Sequence, residues 1–203
     1  MEVLTFCPRE YFGSNTYLIF SGNECAVVDP SVSYSKLDSL IKEKGCVLKF
    51  VILTHAHFDH ILEIDSWVNG TDAQVLVGKG DVPMLSNAYY NCYKTFLGID
   101  KGYFGRFIAV NEDDTFDLCG QEIKFIETPG HTLGSVSLLV GDSVFVGDTV
   151  FADGGVGRCD LPWSDFSLLD KSISKLLRLP ENTTVYSGHV KKTTVKNILN
   201  KLL

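Results

Sequence analysis

The sequence lacks the usual features of secreted, membrane-spanning and nucleic-acid-binding proteins. Its 203 residues include six cysteines, but no two lie closer than eighteen positions, so neither a Cys-x-x-Cys pair nor a zinc ribbon can be drawn. No apolar run approaches the about 18 residues of a membrane span, and the first residues do not read as a signal peptide. With 18 basic against 25 acidic side chains, the formal charge of -7 has the wrong sign for binding many phosphates. We therefore expect a soluble, cytoplasmic protein without nucleic-acid or membrane partners.

Length and composition indicate one domain. With 45% hydrophobic and 21% charged residues, the chain can bury a full core without disulfides or a partner chain. No proline-rich, serine-rich or like-charge stretch marks a linker, and no short-period repeat is visible. We therefore expect residues 1–203 to form a single domain whose cysteines are mostly buried thiols.

Apolar runs predict strands followed by helices in each half of the chain. The predicted strands are 15–21, 25–29, 49–54 and 74–77, then 121–128, 135–140, 143–146 and 183–186. Apolar residues at helical spacing predict helices over 33–44, 61–70, 165–178 and from 194 onward. This repeated order favours two sheets packed face to face with helices outside.

The segment 78–107 between the halves has weak periodicity and many aromatic residues. One interpretation is a helix and loop that cover the edge of a sheet. The other is a lid that faces the substrate, because loops on a rigid scaffold often carry binding surface.

Three of the five histidines lie within six residues, in the sequence Thr-His-Ala-His-Phe-Asp-His that directly follows strand 49–54. His55 and His57 are two apart on an extended segment and project to the same side, while Asp59 and His60 come from the bend that follows. One short loop can therefore supply ligands to two neighbouring metal ions. Two such cations repel each other and need a bridging anion between them.

The remaining histidines and one aspartate also follow predicted strands. His131 lies in Thr-Pro-Gly-His-Thr, His189 in Tyr-Ser-Gly-His and Asp148 in Gly-Asp-Thr. Either of these two histidines alone would more often be structural. Together, imidazole nitrogens and carboxylate oxygens form the donor set that suits Zn, Fe or Mn rather than Ca or Mg. Asp148 is the natural bridging carboxylate.

The ordered motifs THAHFDH, TPGHT, GDT and SGH resemble those of metallo-β-lactamase-fold hydrolases, and within them the glyoxalase-II-like branch. The resemblance extends from residue 15 to about 194. It implies an α/β fold, an αββα four-layer sandwich of two mixed sheets with helices on the outer faces. It also implies two divalent transition metal ions, zinc in first place with iron or manganese as alternatives. The first metal is assigned to His55, His57 and His131 and the second to Asp59, His60 and His189, with Asp148 shared.

Gly157-Arg158-Cys159-Asp160 resembles the Gly-Arg-x-Asp segment of small glyoxalase-II-like hydrolases and of related persulfide dioxygenases. Arg158 is expected to orient Asp148 or an adjacent loop, or to hold an anionic part of the substrate; a surface ion pair is the remaining interpretation. Ile61 and Leu62 stand where the family commonly has two glycines. The basic C-terminal extension with which true glyoxalase II binds glutathione is not found in the sequence, so glutathione recognition stays open.

These residues indicate a hydrolase in which a hydroxide generated at the metals attacks an acyl carbonyl, most plausibly of a small thioester. Asp59 is expected to orient that hydroxide. The alternative is a persulfide dioxygenase with one Fe(II) held by His55, His131 and Asp148, because two histidines and a carboxylate also form a non-haem iron site. An electron-transfer protein, a nuclease and a non-enzymatic scaffold are disfavoured.

Overall fold

The strands in the described part of the chain form two sheets of six strands each. The computed structural model describes residues 1–8 and 12–202. The strands are β1 (Glu2–Phe6), β2 (Thr16–Ser21), β3 (Glu24–Val28), β4 (Val47–Leu53), β5 (Gln74–Gly78), β6 (Ile108–Val110), β7 (Thr115–Leu118), β8 (Gln121–Glu127), β9 (Val136–Val140), β10 (Ser143–Gly147), β11 (Thr184–Ser187) and β12 (Thr193–Thr194). The α-helices are α1 (Asp38–Glu43), α2 (Ile64–Val68), α3 (Val82–Leu85), α4 (Tyr93–Leu97), α5 (Phe166–Leu176) and α6 (Val195–Leu202).

Both sheets are mixed, as predicted. The first has the strand order β1-β2-β3-β4-β5-β6 and the second β12-β11-β10-β9-β8-β7. From β3 to β6 the neighbouring strands of the first sheet are parallel, whereas β1, β2 and β3 pair antiparallel. In the second sheet only the β10–β11 pair is parallel. The chain therefore completes one sheet before it begins the other.

The central strands are apolar on both faces because each face contributes to a different core. In β4, Phe50 and Ile52 join the core between the sheets, whereas Val51 and Leu53 join the core under α1 to α4. In β10, Phe145 faces the core between the sheets and its two neighbours pack under α5 and α6. Three apolar cores separate four layers, which confirms the predicted αββα sandwich.

The four strands that the sequence patterns did not predict, β1, β6, β7 and β12, are the four edges of the two sheets. An edge strand has one neighbour and keeps part of its surface in water, so its apolar periodicity is weak. β6 and β12 are also only three and two residues long. The predicted central strands all exist, with bounds that differ by two residues or fewer.

Two predicted helices are wrong in extent. The helix expected over 33–44 is divided into a 3₁₀ turn at Tyr34–Lys36 and α1, because Leu37 leaves the helical conformation at φ -123° and buries its side chain. The helix expected over 61–70 is reduced to α2. By contrast, α5 and α6 lie within their predicted ranges, and the Asp165 carboxylate accepts a hydrogen bond from the Leu168 N–H to cap α5.

The segment 78–107 covers the outer face of the first sheet. It forms a 3₁₀ turn at Lys79–Asp81, then α3 and α4, and its buried side chains join the core under the helices. The segment therefore covers the sheet as the first interpretation expected, but over its outer face rather than its edge. Within the described ranges, every helix is too short or too polar to cross a bilayer.

Candidate metal centre

All of the predicted ligands lie in loops that follow central strands, at the end of the sandwich where the two sheets meet. The loop 54–60 leaves the first sheet at the end of β4. In the second sheet β8, β10 and β11 run in the same direction, since two antiparallel pairings separate β8 from β10. The loops that follow these three strands therefore emerge together, and they carry His131, Asp148 and His189. A hydrogen bond of 2.8 Å from the Val136 N–H to the Thr54 carbonyl joins the two sheets.

His55, His57 and His131 form the first cluster, and all three side chains are buried. Nε2 of His131 lies 2.9 Å from Nδ1 of His57 and 3.2 Å from Nε2 of His55. On its other side, Nδ1 of His131 lies 2.8 Å from the carbonyl oxygen of Arg158. A carbonyl only accepts hydrogen bonds, so Nδ1 of His131 carries the proton and Nε2 presents a lone pair to the cluster.

The tautomer of His55 follows from the same reasoning. The Thr54 hydroxyl donates to Oδ2 of Asp29 at 2.7 Å, so its oxygen is left to accept from Nδ1 of His55 at 3.2 Å. Nε2 of His55 therefore also presents a lone pair, directed at the lone pair of His131. Two buried lone pairs at this separation repel each other, and a cation between them removes the repulsion.

Asp59, His60, His189 and Asp148 form the second cluster. Nε2 of His189 lies 3.1 Å from Oδ2 of Asp59 and 3.4 Å from Oδ2 of Asp148. Nε2 of His60 lies 3.6 Å from Oδ2 of Asp59 and 3.4 Å from Oδ1 of Asp148. Oδ2 of Asp148 is also 3.8 Å from Nε2 of His131. Asp148 thus faces histidines of both clusters, as its predicted bridging position requires.

Asp29 is a member of the site that the sequence interpretation missed. Its Oδ2 lies 2.8 Å from Nδ1 of His60 and accepts from the Thr54 hydroxyl, while its Oδ1 accepts from the Thr54 N–H at 2.8 Å. This carboxylate holds the proton of His60 on Nδ1, so Nε2 is free for the second cluster. Its signal was present in the sequence, because Asp29 ends a predicted strand at the same sheet edge as the histidines.

Asp81 is a second buried carboxylate that the sequence interpretation missed. Its Oδ2 accepts from the Ala56 N–H at 2.9 Å and from the Thr132 hydroxyl at 2.8 Å, and its Oδ1 accepts from the Gly134 N–H at 2.8 Å. It joins the loop of His55 and His57 to the loop of His131. Because Asp81 lies in the aperiodic segment 78–107, no local sequence signal marked it.

The pKa values divide the site into a neutral and a charged half. Burial lowers the pKa of His57 to about 3 and also lowers the pKa values of His55 and His131. Burial opposes the charged form of His189 as well, but its hydrogen bonds with Asp148 and Asp59 raise its pKa to about 9. Likewise burial is outweighed at His60, where the carboxylates led by Asp29 hold the pKa well above its ordinary value. The second cluster therefore carries protons that a metal ion must displace.

The seven side chains fit transition metal ions. Their donor atoms fall into three groups within 4.8 Å of one another, His55–His57–His131, His55–His60–Asp148 and Asp59–His60–His189. Within residues 1–8 and 12–202, Nε2 of His60 and Oδ1 of Asp148 are buried and find no hydrogen-bond partner. A Cβ at Gly188 would contact Oδ1 of Asp148 and lie 2.5 Å from the His60 ring, so only glycine allows this approach. Imidazole nitrogens and carboxylate oxygens that converge in this way are a donor set for zinc, iron or manganese.

Arg158 lies at the rim of the site and does not contact Asp148. Its Nε and Nη2 donate to Oδ1 and Oδ2 of Asp160, both at 2.7 Å, and half of its side chain is exposed. It is the carbonyl of Arg158 that touches a cluster residue, His131. The structure therefore shows Arg158 in an exposed ion pair within the loop 157–160, the remaining interpretation above, and not in an orienting contact with Asp148.

The segment 78–107 also reaches the site. A cleft of about 430 Å³ opens above the two clusters, and Cys92 and Phe96 from this segment line it together with Phe58, Phe151 and Arg158. The Phe96 ring stacks on Phe58 at 5.5 Å between centroids, at an interplanar angle of 27°. The segment thus covers the sheet with one part and forms a wall of the cleft with another.

The sandwich and the histidine and carboxylate clusters at the junction of its sheets define a class of metalloprotein. A profile of the Metallo-beta-lactamase superfamily matches residues 9–189. The chain belongs to the metallo-beta-lactamase superfamily. It is 36% identical over 185 residues to "Probable metallo-hydrolase YqgX" of Bacillus subtilis, with 90% of this chain and 87% of that protein covered. It is 32% identical to a "Hydroxyacylglutathione hydrolase" of Hamiltonella defensa over 83% of this chain, but spans only 59% of that protein.

Solved structures agree with this membership. The BLEG-1 B3 metallo-beta-lactamase superposes with a TM-score of 0.89 at 28% identity, covering 98% of this chain and 97% of that one. TTHA1623 in a di-iron-bound form gives a TM-score of 0.83 at 30% identity, covering 99% and 98%. ETHE1 from Myxococcus xanthus gives 0.74 at 26% identity, covering 97% and 80%.

Proposed function

We propose that this protein is a metal-dependent hydrolase that cleaves a small thioester or a related acyl bond. The observation that carries the proposal is the position of Asp148, whose carboxylate faces His131 of the first cluster and both His60 and His189 of the second. The first cluster would hold one divalent transition metal ion and the second cluster another, with zinc favoured and iron or manganese as alternatives. Bound there, two such ions would supply a hydroxide at neutral pH and polarise the acyl carbonyl.

The protein's own side chains position the reactants. Asp59 lines the floor of the cleft, where its carboxylate would accept a hydrogen bond from the attacking water and orient it toward the acyl carbon. The oxygen of water then bonds to that carbon, the carbon–sulfur bond breaks, and the thiol leaves with a proton. Cys92 is the thiol in the described cleft wall, and burial raises its pKa to about 11. It stays protonated at neutral pH, which disfavours a covalent cysteine mechanism.

Relatives support the reaction class. The printed names of the Bacillus subtilis and Hamiltonella defensa proteins describe a metallo-hydrolase and a hydrolase of hydroxyacylglutathione. A hydroxyacylglutathione is a thioester, and the superfamily profile that matches residues 9–189 spans all five histidines.

The substitution His57→Ala tests the proposal. It removes Nδ1 from the first cluster, so the purified variant should bind at least one metal equivalent less than the wild type and lose thioester hydrolysis. The exposed Lys94→Ala on α4 serves as the control and should keep both properties. Circular dichroism checks that both variants fold. Full hydrolysis by His57→Ala would refute the ligand assignment.

A second candidate is a persulfide dioxygenase with one Fe(II). The pairing of His55 and His131 with the Asp148 carboxylate at the same edge favours it, because this ligand type leaves open positions on iron. The likeness to ETHE1 adds to this candidate. Iron-loaded protein should consume oxygen with glutathione persulfide if this candidate holds, whereas the hydrolase should release thiol from a thioester without oxygen.

A further inference from the structure

The cleft above the metal ligands has an apolar wall. Apart from the ligands themselves, nine residues form its described lining, and four of them are phenylalanines, Phe12, Phe58, Phe96 and Phe151. Phe12 and Phe96 keep 55% and 41% of their surface exposed, although large apolar rings usually lie inside a protein. Exposed aromatic rings that surround a reactive site indicate a surface that a ligand covers.

The rings are held in place by their neighbours. Phe96 stacks on Phe58, which directly follows the ligand His57, and the Arg158 guanidinium carbon lies 5.8 Å from the Phe96 ring centroid. Phe151 contacts the ligand His189 edge to face, at 6.2 Å between centroids. The wall is therefore continuous with the two clusters, and a group bound at the metals would extend along it.

The same wall offers little to an anionic ligand. Arg158 is the one charged side chain in the described wall, and its two donors to Asp160 form a bidentate pair at 2.7 Å. Its positive charge is thus already matched by a carboxylate. Cys92 is neutral at physiological pH because burial raises its pKa. A ligand with two carboxylates, such as glutathione, would meet no unpaired cation in this part of the wall.

We propose that the phenylalanine wall binds the uncharged hydrocarbon part of a thioester and that the protein prefers such substrates to glutathione thioesters. The inference rests on the proposed function. The hydrocarbon could belong to the acyl group or to the thiol, since either extends from the scissile bond. A cleft of about 430 Å³ is near the small end of ligand pockets, which suits a chain of a few carbons or one aromatic ring.

Two substrate series test the inference and distinguish the two sources. One lengthens the acyl group from acetyl to octanoyl on the uncharged thiol N-acetylcysteamine; the other keeps the acetyl group and lengthens an uncharged alkyl thiol. In the series whose chain enters the cleft, kcat/KM should rise about threefold to fourfold for each added methylene until the cleft is full. A flat response in both series, or faster cleavage of an S-acylglutathione than of its matched uncharged thioester, would overturn the inference.

The substitution Phe96→Ala tests the wall itself. It should lower the ratio of kcat/KM for the hexanoyl over the acetyl thioester by about tenfold, because the ring covers several methylenes. Phe104→Ala is the matched control: Phe104 belongs to the same segment, is 81% exposed and does not line the cleft. The control should keep the wild-type ratio. A similar loss in both variants would contradict a specific role of Phe96.

A binding measurement separates this inference from the proposed reaction. Acetate, butyrate and hexanoate should bind metal-loaded protein with affinities that rise about threefold to fourfold per methylene, measured by calorimetry. If affinity rises with chain length in this way but the protein hydrolyses no thioester, the apolar wall is supported and the proposed function is rejected. Thioester hydrolysis with equal affinities for the three carboxylates and a flat response in the thiol series would reject the wall and leave the proposed function supported.

Discussion

At the scale of single residues, Asp29 shows how one buried carboxylate controls several ligands. It accepts from the Thr54 hydroxyl, which in turn orients His55, and it holds the Nδ1 proton of His60. One side chain therefore fixes the tautomer of a histidine in each cluster. It does so at φ 52°, in the left-handed region that aspartate tolerates better than most residues.

We expect Asp29→Asn to weaken metal binding by about tenfold to a hundredfold, the range typical for partners of metal-bound histidines. An asparagine keeps the shape, but its NH₂ group must face at least one of three donors and so misorients His55 or His60. Competition with a chromophoric chelator measures the loss. Asp113→Asn is the control, because Asp113 also has a positive φ of 64° and lies on the exposed surface. Equal affinities of wild type and Asp29→Asn would show that Asp29 only shapes the turn.

The protonation of His189 predicts how metal loading depends on pH. Its pKa is raised to about 9, so in protein stripped of metal this imidazole carries a proton at neutral pH. A metal ion must displace that proton, and affinity at the second cluster should therefore rise as the pH rises. We expect at least about a tenfold gain per unit between about pH 6 and pH 8. Calorimetry in buffers of different ionisation enthalpy counts the released protons, and His189→Ala should release fewer. An affinity independent of pH would contradict the assignment.

At the scale of elements, the sequence predicts best what is buried on both sides. Strands such as β4 and β10 contribute to a core on each face, so their sequences are continuous apolar runs. Such a run can be recognised in the sequence without knowledge of the rest of the fold. The edge strands carry no such signal. The break at Leu37 was also unpredictable from local spacing, because Leu37 fits helical periodicity but turns into the core as the chain changes direction.

Asp81 connects the loops of two elements from different sheets, so its substitution should affect both the fold and the first cluster. Asp81→Asn places an NH₂ group against one of three donors, from Ala56, Thr132 and Gly134. We expect unfolding free energy to fall by about 1–3 kcal/mol, the usual result of an unsatisfied buried polar group. Denaturant titration measures it, and the exposed Asp170→Asn on α5 should change little. An unchanged unfolding free energy in Asp81→Asn would show that the two loops keep their positions without this carboxylate.

At the scale of the whole molecule, the members of the two clusters were predictable but their surroundings were not. All five histidines belong to short motifs after strands, so the seven residues of the two clusters can be selected before any tertiary structure is known. The positions of Asp81 and Phe96, and the pairing of Arg158 with Asp160, depend on the paths of the segment 78–107 and the loop 157–160. Contacts between distant parts of the chain determine these paths, and local sequence patterns do not contain that information.

Metal ions should hold the two sheets together, because the ligands come from both. His55, His57 and His60 follow a strand of the first sheet, while the remaining histidines and Asp148 follow strands of the second. An ion that binds only the folded state adds about 2.7 kcal/mol per site at a hundredfold excess over its Kd, which corresponds to a rise in Tm of about 5–10 °C. We therefore expect chelation to lower Tm by about 5–10 °C for each ion removed, and added zinc to restore it. In His57→Ala, chelation should lower Tm by less than in the wild type. A wild-type Tm that does not change with metal would contradict a site shared between the sheets.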